Sequence, residues 1–305
     1  MGGVALLLEE AFREDLGFLH FWSRFPLLRD VGARLWAASM TPALPDSLLG
    51  FVWEEDGRIV GNATMTPDEY RRRTWLISNV AVYPNFRRRG IARELMQACL
   101  EEAARRSATW VILNVRPNND GAIRLYEQLG FERVDTEMGY VRRRKPGLNS
   151  SLPEMRRLSG DEHRAAFELA REGMSERLKL FRPPRPAEFA INIEDRMAER
   201  VTDLFTGQRT ERWGLFQQGA FVAAVTVHAQ RIGTPHSFDI RVAPGERGPL
   251  EEGLVRFARH RLDGLPTRDI VTRVLTSHTE LAGALAADDY VPTRGLMLMA
   301  KSISE

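Results

Sequence analysis

Two kinds of hydrophobic spacing alternate along the chain. Between residues 91 and 103, apolar side chains recur every four positions and charged side chains fall on the opposite face, which predicts an amphipathic helix from about Gly90 to Arg106. Apolar runs of strand length lie on either side of it, at Trp75 to Val82 and at Thr109 to Val115. A strand, a helix and a second strand in this order predict a crossover that joins two parallel strands.

The same succession of elements occurs a second time. Asp56-Gly57 separates two apolar runs in the first half, Gln-Gln-Gly before Ala220 does so in the second, and both patterns predict β-hairpins. The strands after these hairpins end in Val82-Tyr83-Pro84 and in Val242-Ala243-Pro244, and 242 minus 82 gives an offset of 160 residues. A helix, a strand and a shorter helix follow in each half. The chain is therefore predicted to be a diverged tandem duplication.

A linker is predicted at the midpoint of the chain. The stretch from Lys145 to Pro153 concentrates proline, glycine and small polar residues, a composition typical of a boundary between domains. We therefore predict one domain over residues 1–147 and another over residues 148–305. Because each contains the strand, helix and strand succession, the predicted fold class is α/β for both.

Composition limits the function classes. With 43% hydrophobic and 28% charged residues among 305, the chain has the composition of a globular protein, and no apolar stretch approaches the roughly 20 residues of a membrane span. A secretory signal is not evident and Cys99 is the single cysteine, so a cytoplasmic location is expected. The net charge of +2 does not favour nucleic acid as a partner. The six histidines lack metal-ligand spacing, so no metal is expected.

The segment with the most specific chemistry is Arg87-Arg88-Arg89-Gly90-Ile91-Ala92, which opens the predicted helix. The first backbone N–H groups of a helix have no partner within it, and the helix dipole adds positive charge there. Gly90 lets an anion approach the backbone, Ala92 keeps the next turn small, and the arginines can neutralise phosphate oxygens. A run of arginines alone is more often a solvated turn, so a diphosphate site is inferred only together with its neighbours.

These neighbours complete a resemblance to the GNAT superfamily of acetyltransferases over about residues 48 to 142. The family signature Gln/Arg-x-x-Gly-x-Gly/Ala is matched by Arg87-x-x-Gly90-x-Ala92, and the segment from Asn119 to Phe131 is similar to a later family motif. The resemblance implies two tandem domains, each with a mixed, mostly antiparallel sheet around its parallel core, flanked by helices. It also implies acetyl-coenzyme A as cofactor, lying between two splayed strands. The implied cofactor contacts are Val80, Val82, Arg87, Arg88, Arg89, Gly90, Ile91, Ala92 and Asn119.

The resemblance also implies a catalytic residue. Tyr126 matches the family tyrosine that donates a hydrogen bond or a proton to the sulfur of coenzyme A, and is expected to act as general acid. The base stays open, because some relatives carry glutamate where this chain has Asn114. Ordered water, Glu54, Glu137 or an amine that binds already neutral are the alternatives. The departure at Asn114 also weakens the case for a protein N-terminus as acceptor.

The second half is predicted to be a degenerate copy. The loop after Val242-Ala243-Pro244 contains acidic residues that would repel phosphates, and the arginine-x-x-glycine spacing is lost. Alignment of Tyr290 with Phe131 puts Leu285 where Tyr126 stands, and His278 where Asn119 stands. The tandem layout is similar to that of mycothiol synthase-like enzymes. This similarity concerns the layout alone and does not identify a substrate.

The predicted function is acetyl-coenzyme A-dependent transfer of an acetyl group directly to a primary amine of a small molecule or peptide. The alternative is a non-catalytic acyl-coenzyme A sensor or assembly module, and nucleic-acid binding through the arginine runs ranks third. Membrane partners are not expected, and a homodimer stays open. Arg71 to Arg73 or Arg142 to Lys145 could hold the 3′-phosphate of coenzyme A. The aromatic residues from Phe12 to Trp36 could line an acceptor pocket, but packing in the core between two helices is the preferred interpretation.

Overall fold

The computed structural model describes residues 2–11, 49–68, 70–143, 153–230, 234–263, 265 and 268–303. The chain divides into a first unit, Met1–Arg133 with Leu298–Glu305, and a second unit, Val134–Met297. The duplicated sequence domains with a boundary near residue 148 stay a prediction, since the linker itself lies largely outside the described residues.

The order of helices and strands repeats between the two sequence halves. The first half contains α1 (Gly2–Ala11), β1 (Leu49–Glu55), β2 (Arg58–Pro67), β3 (Thr74–Val82), α2 (Ile91–Arg105), β4 (Trp110–Val115), α3 (Asp120–Gln128) and β5 (Glu132–Arg142). The second half contains β6 (Arg156–Arg157), α4 (Glu162–Glu172), α5 (Glu176–Phe181), α6 (Ile193–Thr206), β7 (Gln208–Gln217), β8 (Ala220–Gln230), β9 (His236–Val242), α7 (Glu251–Asp263), β10 (Ile270–Leu275), α8 (Thr279–Ala287) and β11 (Val291–Ser302). None of the described helices is long and apolar enough to cross a bilayer.

Both predicted hairpins are present. The turn between β1 and β2 has positive φ at Asp56 and Gly57, 50° and 74°, and the turn between β7 and β8 has positive φ at Gln218 and Gly219, 50° and 84°. Two consecutive residues with positive φ match the right-handed twist of the flanking strands, which is why Asp-Gly predicts a hairpin. Strand β7 is longer than an apolar run would predict, since it begins at Gln208 and its first five residues are polar or charged.

The first unit contains the predicted parallel crossover. Its strand order is β1, β2, β3, β4 and then the end of β11, and β3 runs parallel to β4 with α2 connecting them. The apolar face of α2 is buried through Ile91, Leu95, Met96, Cys99 and Ala103. A side chain at Gly61 of β2 would place its Cβ 2.8 Å from Ile91, so glycine lets the helix lie close to the sheet.

Each unit includes a strand segment from the other half of the sequence. The end of β11 belongs to the first unit, where it lies beside β4, and Met299 there is completely buried. Most of β5 belongs to the second unit, where it pairs antiparallel with β10 from Arg142 opposite Ile270 to Glu137 opposite Leu275. Relative to the two halves of the sequence, the units have therefore exchanged these strands.

The second unit repeats the architecture. Its strand order is β11, β5, β10, β9, β8, β7, β6, and β9 runs parallel to β10 with α7 between them in sequence. The core forms between this sheet and the helices, with Leu254, Val255 and Ala258 of α7 completely buried beneath it. The predicted fold class is confirmed for both units, each a mixed sheet flanked by helices.

Candidate active site

The loop before α2 leaves the start of the helix open. A short 3-10 turn at Pro84–Phe86 leads into Arg88 and Gly90, which have positive φ of 66° and 83°. Gly90 caps α2 without a side-chain hydrogen bond, and its carbonyl accepts the N–H groups of Arg93 and Glu94 at 2.8 and 3.1 Å. A Cβ built on Gly90 meets nothing within 4 Å. The N–H groups of Ile91 and Ala92 have no partner within the helix, and the space beside Gly90 is open, as an anion site requires.

Beside this loop, β3 parts from β4. The parallel pairing runs from Thr74 opposite Trp110 only to Ile77 opposite Leu113, although both strands continue. A bulge follows at once in β3, where Asn79 has a φ of 54° and one extra residue interrupts the pairing with β2. The Asn62 side chain fixes the bulge by donating to the Asn79 carbonyl at 2.9 Å. Beyond Ile77 and Leu113, the C-terminal ends of β3 and β4 are therefore not paired with each other.

Val80 and Val82 lie on this unpaired stretch. The N–H of Tyr83 donates to the Val60 carbonyl of β2 at 3.0 Å, so the backbone groups of Val82 face away from β2, on the side of β4. The Val82 carbonyl accepts the Nε of Arg87 at 3.0 Å. Val80 follows the bulge directly and is partly buried.

The three arginines of the loop have different partners. Arg87 is bound to the Val82 carbonyl, and Arg89 makes a bidentate ion pair with Glu55 at 3.1 and 2.7 Å. Arg88 is exposed, with no partner among the described residues. The sequence predicted phosphate neutralisation by all three but gave no sign of the Glu55 pair, since the two residues are 34 positions apart.

Tyr126 is a buried phenol with a free hydrogen-bond donor. Only 6% of the residue is exposed, and its ring lies 6.0 Å from that of Phe131. No described residue hydrogen-bonds its hydroxyl. Burial raises the pKa of Tyr126 to about 12, because the phenolate would be poorly solvated. The hydroxyl is therefore protonated throughout the physiological pH range and can donate.

Asn119 caps the helix that contains Tyr126. Its side-chain oxygen accepts the N–H of Ala122 at 3.2 Å, as a capping residue does, which leaves its amide N–H groups for another partner. Asn114 is exposed on β4, one residue past the last pairing with β3. Of the candidate bases, Glu54 is exposed on β1, and Glu137 lies in the second unit 3.6 Å from Arg273. The aromatic residues from Phe12 to Trp36 lie outside the described residues.

The corresponding region of the second unit has a carboxylate of its own. Glu251, only 1% exposed, accepts the Gly248 N–H at 2.8 Å and lies 2.9 Å from Nε2 of His278. The backbone carbonyl of Leu285 accepts the Tyr290 N–H, and the backbone carbonyl of Tyr126 accepts the Phe131 N–H in the same way. This equivalence confirms the predicted alignment of Leu285 with Tyr126. Strands β9 and β10 also part, after two paired positions, beside a cleft lined by Ile240, Val242 and Val274, but β9 pairs with β8 without a bulge.

Cys99 is buried in the first unit. The Cys99 side chain is completely buried, and burial raises the pKa of its thiol to about 12, so it is a structural residue as its place on the apolar stripe indicated. Among the described residues, no three histidine, cysteine or acidic side chains come together as a metal site would require.

Residues 7–131 match the family model described as the acetyltransferase (GNAT) family. This part of the chain is therefore similar to a GNAT acetyltransferase domain. It is 40% identical over 62 residues to a ribosomal protein bS18 alanine N-acetyltransferase of Salmonella typhimurium, a match that covers 20% of this chain and 42% of that protein. It is also 36% identical over 91 residues to an acetyltransferase of Pectobacterium atrosepticum, which covers 30% of this chain and 61% of that protein. The chain thus spans about half the length of these curated relatives.

The fold of a solved structure agrees with the GNAT assignment. A GCN5-related N-acetyltransferase from Sphaerobacter thermophilus matches with a TM-score of 0.58 and 19% identity, covering 90% of this chain and 86% of that one. At this identity the likeness shows the fold alone. The matched GNAT domain contains the residues that form the open loop, the parted strands and Tyr126.

Proposed function

We propose that the protein is an acetyl-coenzyme A-dependent N-acetyltransferase that transfers the acetyl group directly to a primary amine of a small molecule or peptide. The observation that carries the proposal is the parting of β3 from β4 after Ile77 and Leu113, where β3 leads into the open start of α2 and β4 leads into the helix that holds Tyr126. The GNAT match of residues 7–131 supports it, since the family generally uses acetyl-coenzyme A.

The residues present fit this cofactor. The diphosphate needs backbone donors and positive charge, and the N–H groups of Ile91 and Ala92 with the unpaired Arg88 supply both next to the Cβ-free Gly90. An amide-containing arm needs free strand backbone, which the stretch beyond Ile77 offers at Val80 and at the N–H of Val82, while the Val82 carbonyl is bound by Arg87. The bound thioester would supply an acetyl carbonyl open to attack by an amine.

Tyr126 would act at the sulfur that leaves. A phenol is ordinarily a weaker acid than a thiol, and burial raises the pKa of Tyr126 further, to about 12, so full proton transfer from Tyr126 to a thiolate is not favoured. A hydrogen bond from the hydroxyl to the developing thiolate needs no such transfer. We therefore assign Tyr126 the role of hydrogen-bond donor that stabilises negative charge, which refines the expectation of a general acid.

The acceptor is an amine that reaches the parted strands in its neutral form. Asn114 has no basic group, so proton removal requires solvent or a carboxylate elsewhere. The Salmonella relative is named for an alanine of ribosomal protein bS18, and its match here covers 20% of the chain. A peptide N-terminus and a small amine are both consistent with the site.

A non-catalytic acyl-coenzyme A sensor is the second candidate, and the uncharged Asn114 favours it. The two functions separate in one experiment. Calorimetry with coenzyme A would measure binding, and thiol release from acetyl-coenzyme A would be followed against a panel of amino acids, polyamines and peptides. We expect binding together with amine-dependent release. Binding without release for any amine would support the sensor, and folded protein that fails to bind coenzyme A would contradict both.

A further inference from the structure

The second unit contains a small cleft where β9 and β10 part. The two strands are paired only at Ile270 opposite His236 and at Val271 opposite Ser237, and the cleft lies beyond these positions, with α4 and α8 contributing to its walls. Its volume is about 30 Å³, which is room for a few water molecules or for one small charged group. The apolar part of its wall is formed by Leu169, Ile240, Val242, Val274 and Leu281.

Backbone donors face this cleft from β9. The Ala243 N–H donates to a carbonyl of β8 at 2.9 Å, and the direction of backbone groups alternates along a strand. The N–H groups of Val242 and Ile240 therefore point away from β8, toward β10, and both residues lie past the last position paired with β10. Phe238, two residues earlier, has the same direction, because its carbonyl accepts the Thr272 hydroxyl of β10 at 2.7 Å. The wall thus offers two N–H donors that β10 does not pair.

The charged side chains that line the cleft are all basic. They are Arg241, Arg247, Arg273 and His278. Arg241 is paired with Asp239 at 2.8 Å, and Arg273 lies 3.6 Å from Glu137. These two arginines therefore have carboxylate partners of their own.

Arg247 is the cation of the cleft that lacks a carboxylate. Its Nη2 donates to the Gly173 carbonyl at 3.1 Å, and its Nε is buried without a hydrogen-bond partner. No acidic side chain in the described part of the chain forms an ion pair with it, since the exposed Glu280 interacts with it only at longer range. A partly buried guanidinium without a counter-ion favours the binding of an anionic group beside it.

His278 adds a second polar group to the same cleft. Its side chain is only 10% exposed, and its Nε2 lies 2.9 Å from Oε1 of Glu251, which fixes the ring. The other ring nitrogen, Nδ1, has no partner among the residues that the structure describes. An imidazolium can donate from both nitrogens, and so to two carboxylates at once. With one carboxylate bound, the charges of Glu251, His278, Arg247 and the ligand would sum to zero.

We infer that this cleft binds the carboxylate group of a small organic acid, between Arg247, His278 and the free N–H groups of β9. The inference is independent of the proposed acetyl transfer in the first unit. A nucleotide coenzyme does not fit, because Glu251 already accepts the Gly248 N–H from inside the protein. A diphosphate would also bring more negative charge than one guanidinium and one imidazolium can offset. A single carboxylate matches both the charge and the size of the cleft.

The test is a nitrogen-15 NMR titration of the histidine ring signals in the 305-residue protein. The probe is butyrate, with butyramide as the neutral control of the same shape and sodium chloride as the control for ionic strength. We expect butyrate alone to shift the Nδ1 signal of His278, assigned through its own backbone resonances, until the site is saturated. Acetate should bind more weakly than butyrate, by roughly 4-fold for each CH₂ group that the apolar wall buries.

Arg247→Gln should weaken butyrate binding at least ~10-fold, because it removes the charge that the ligand would meet. Its circular dichroism melt should resemble that of wild type, since one hydrogen bond to a backbone carbonyl is lost. Arg247→Lys should keep part of the affinity, because it keeps the charge without the fork of donors. The matched control is Arg171→Gln, which changes an exposed arginine of α4 that is paired with Glu168 at 3.2 Å and should bind as wild type.

Several results would overturn the inference. They are an Nδ1 signal that butyrate does not shift, equal shifts with butyramide or with chloride, an Arg247→Gln variant that binds butyrate as wild type does, and an equal loss in Arg171→Gln. If Arg247→Gln does not fold, the amide and chloride comparisons on wild type still decide. Coenzyme A binding is measured separately, so the failure of this inference and the failure of the proposed function are distinguishable.

Discussion

Tyr126→Phe isolates the contribution of one hydroxyl group. The ring and its contact with Phe131 stay, and no described residue loses a hydrogen bond, so the free energy of unfolding should change by less than about 1 kcal/mol. If the hydroxyl donates to the developing thiolate, it makes a hydrogen bond to a charged group, worth about 1.5–3 kcal/mol. This converts to a loss of roughly 10- to 150-fold in kcat.

The assay is thiol release at saturating acetyl-coenzyme A with the best amine of the panel, alongside calorimetry with coenzyme A. We expect kcat to fall and coenzyme A affinity to change little, because the interaction strengthens only as negative charge develops. A kcat within about twofold of wild type would refute the assigned role. Equal losses in binding and rate would instead assign Tyr126 to cofactor binding.

The pH dependence provides an independent check. Because burial raises the pKa of Tyr126 to about 12 from an ordinary 10, the phenol keeps its proton through pH 10, and wild-type kcat should show no loss from this residue between pH 8 and 10. The same pKa difference favours the folded state below pH 10, and that stabilisation is lost as the pH rises from 10 to 12. Tyr126→Phe should unfold less steeply over this alkaline range, measured by circular dichroism.

Three further predictions concern the loop, the exchanged strand and the cysteine. Gly90→Glu should abolish coenzyme A binding measured by calorimetry, whereas Gly248→Glu, also at a positive φ with open space for a Cβ, should leave it unchanged; equal losses would contradict a single site in the first unit. Met299→Ala should lower the free energy of unfolding by about 2–5 kcal/mol in urea titrations, since this completely buried residue lies in the strand beside β4; a change below 1 kcal/mol would argue against that packing. Cys99, with a thiol pKa of about 12, should not react with a thiol reagent at pH 8 until the protein is unfolded, and rapid labelling of native protein would show that the helix face is open.

Local patterns predicted the parts of the fold that local forces decide. The four-residue spacing of α2 and the Asp-Gly turn each involve residues close together in sequence, and both are present. The exchange of β5 and the end of β11 was not predictable in this way, because an apolar run indicates a strand but not its neighbour in the sheet. The pair between Arg89 and Glu55 was missed for the same reason.

The loop before α7 in the second unit contains a short 3-10 turn, as the loop before α2 does, but differs from it in chemistry. The acidic loop was predicted to repel phosphates, and the structure adds a positive role for one carboxylate, because Glu251 satisfies the Gly248 N–H from inside the protein. A buried donor without a partner costs about 1–3 kcal/mol, so this internal anion stabilises the turn without any ligand. The open start of α2 has no such side chain. The sequence of the second half also contributes to the first unit, since the strand beside β4 comes from the end of β11.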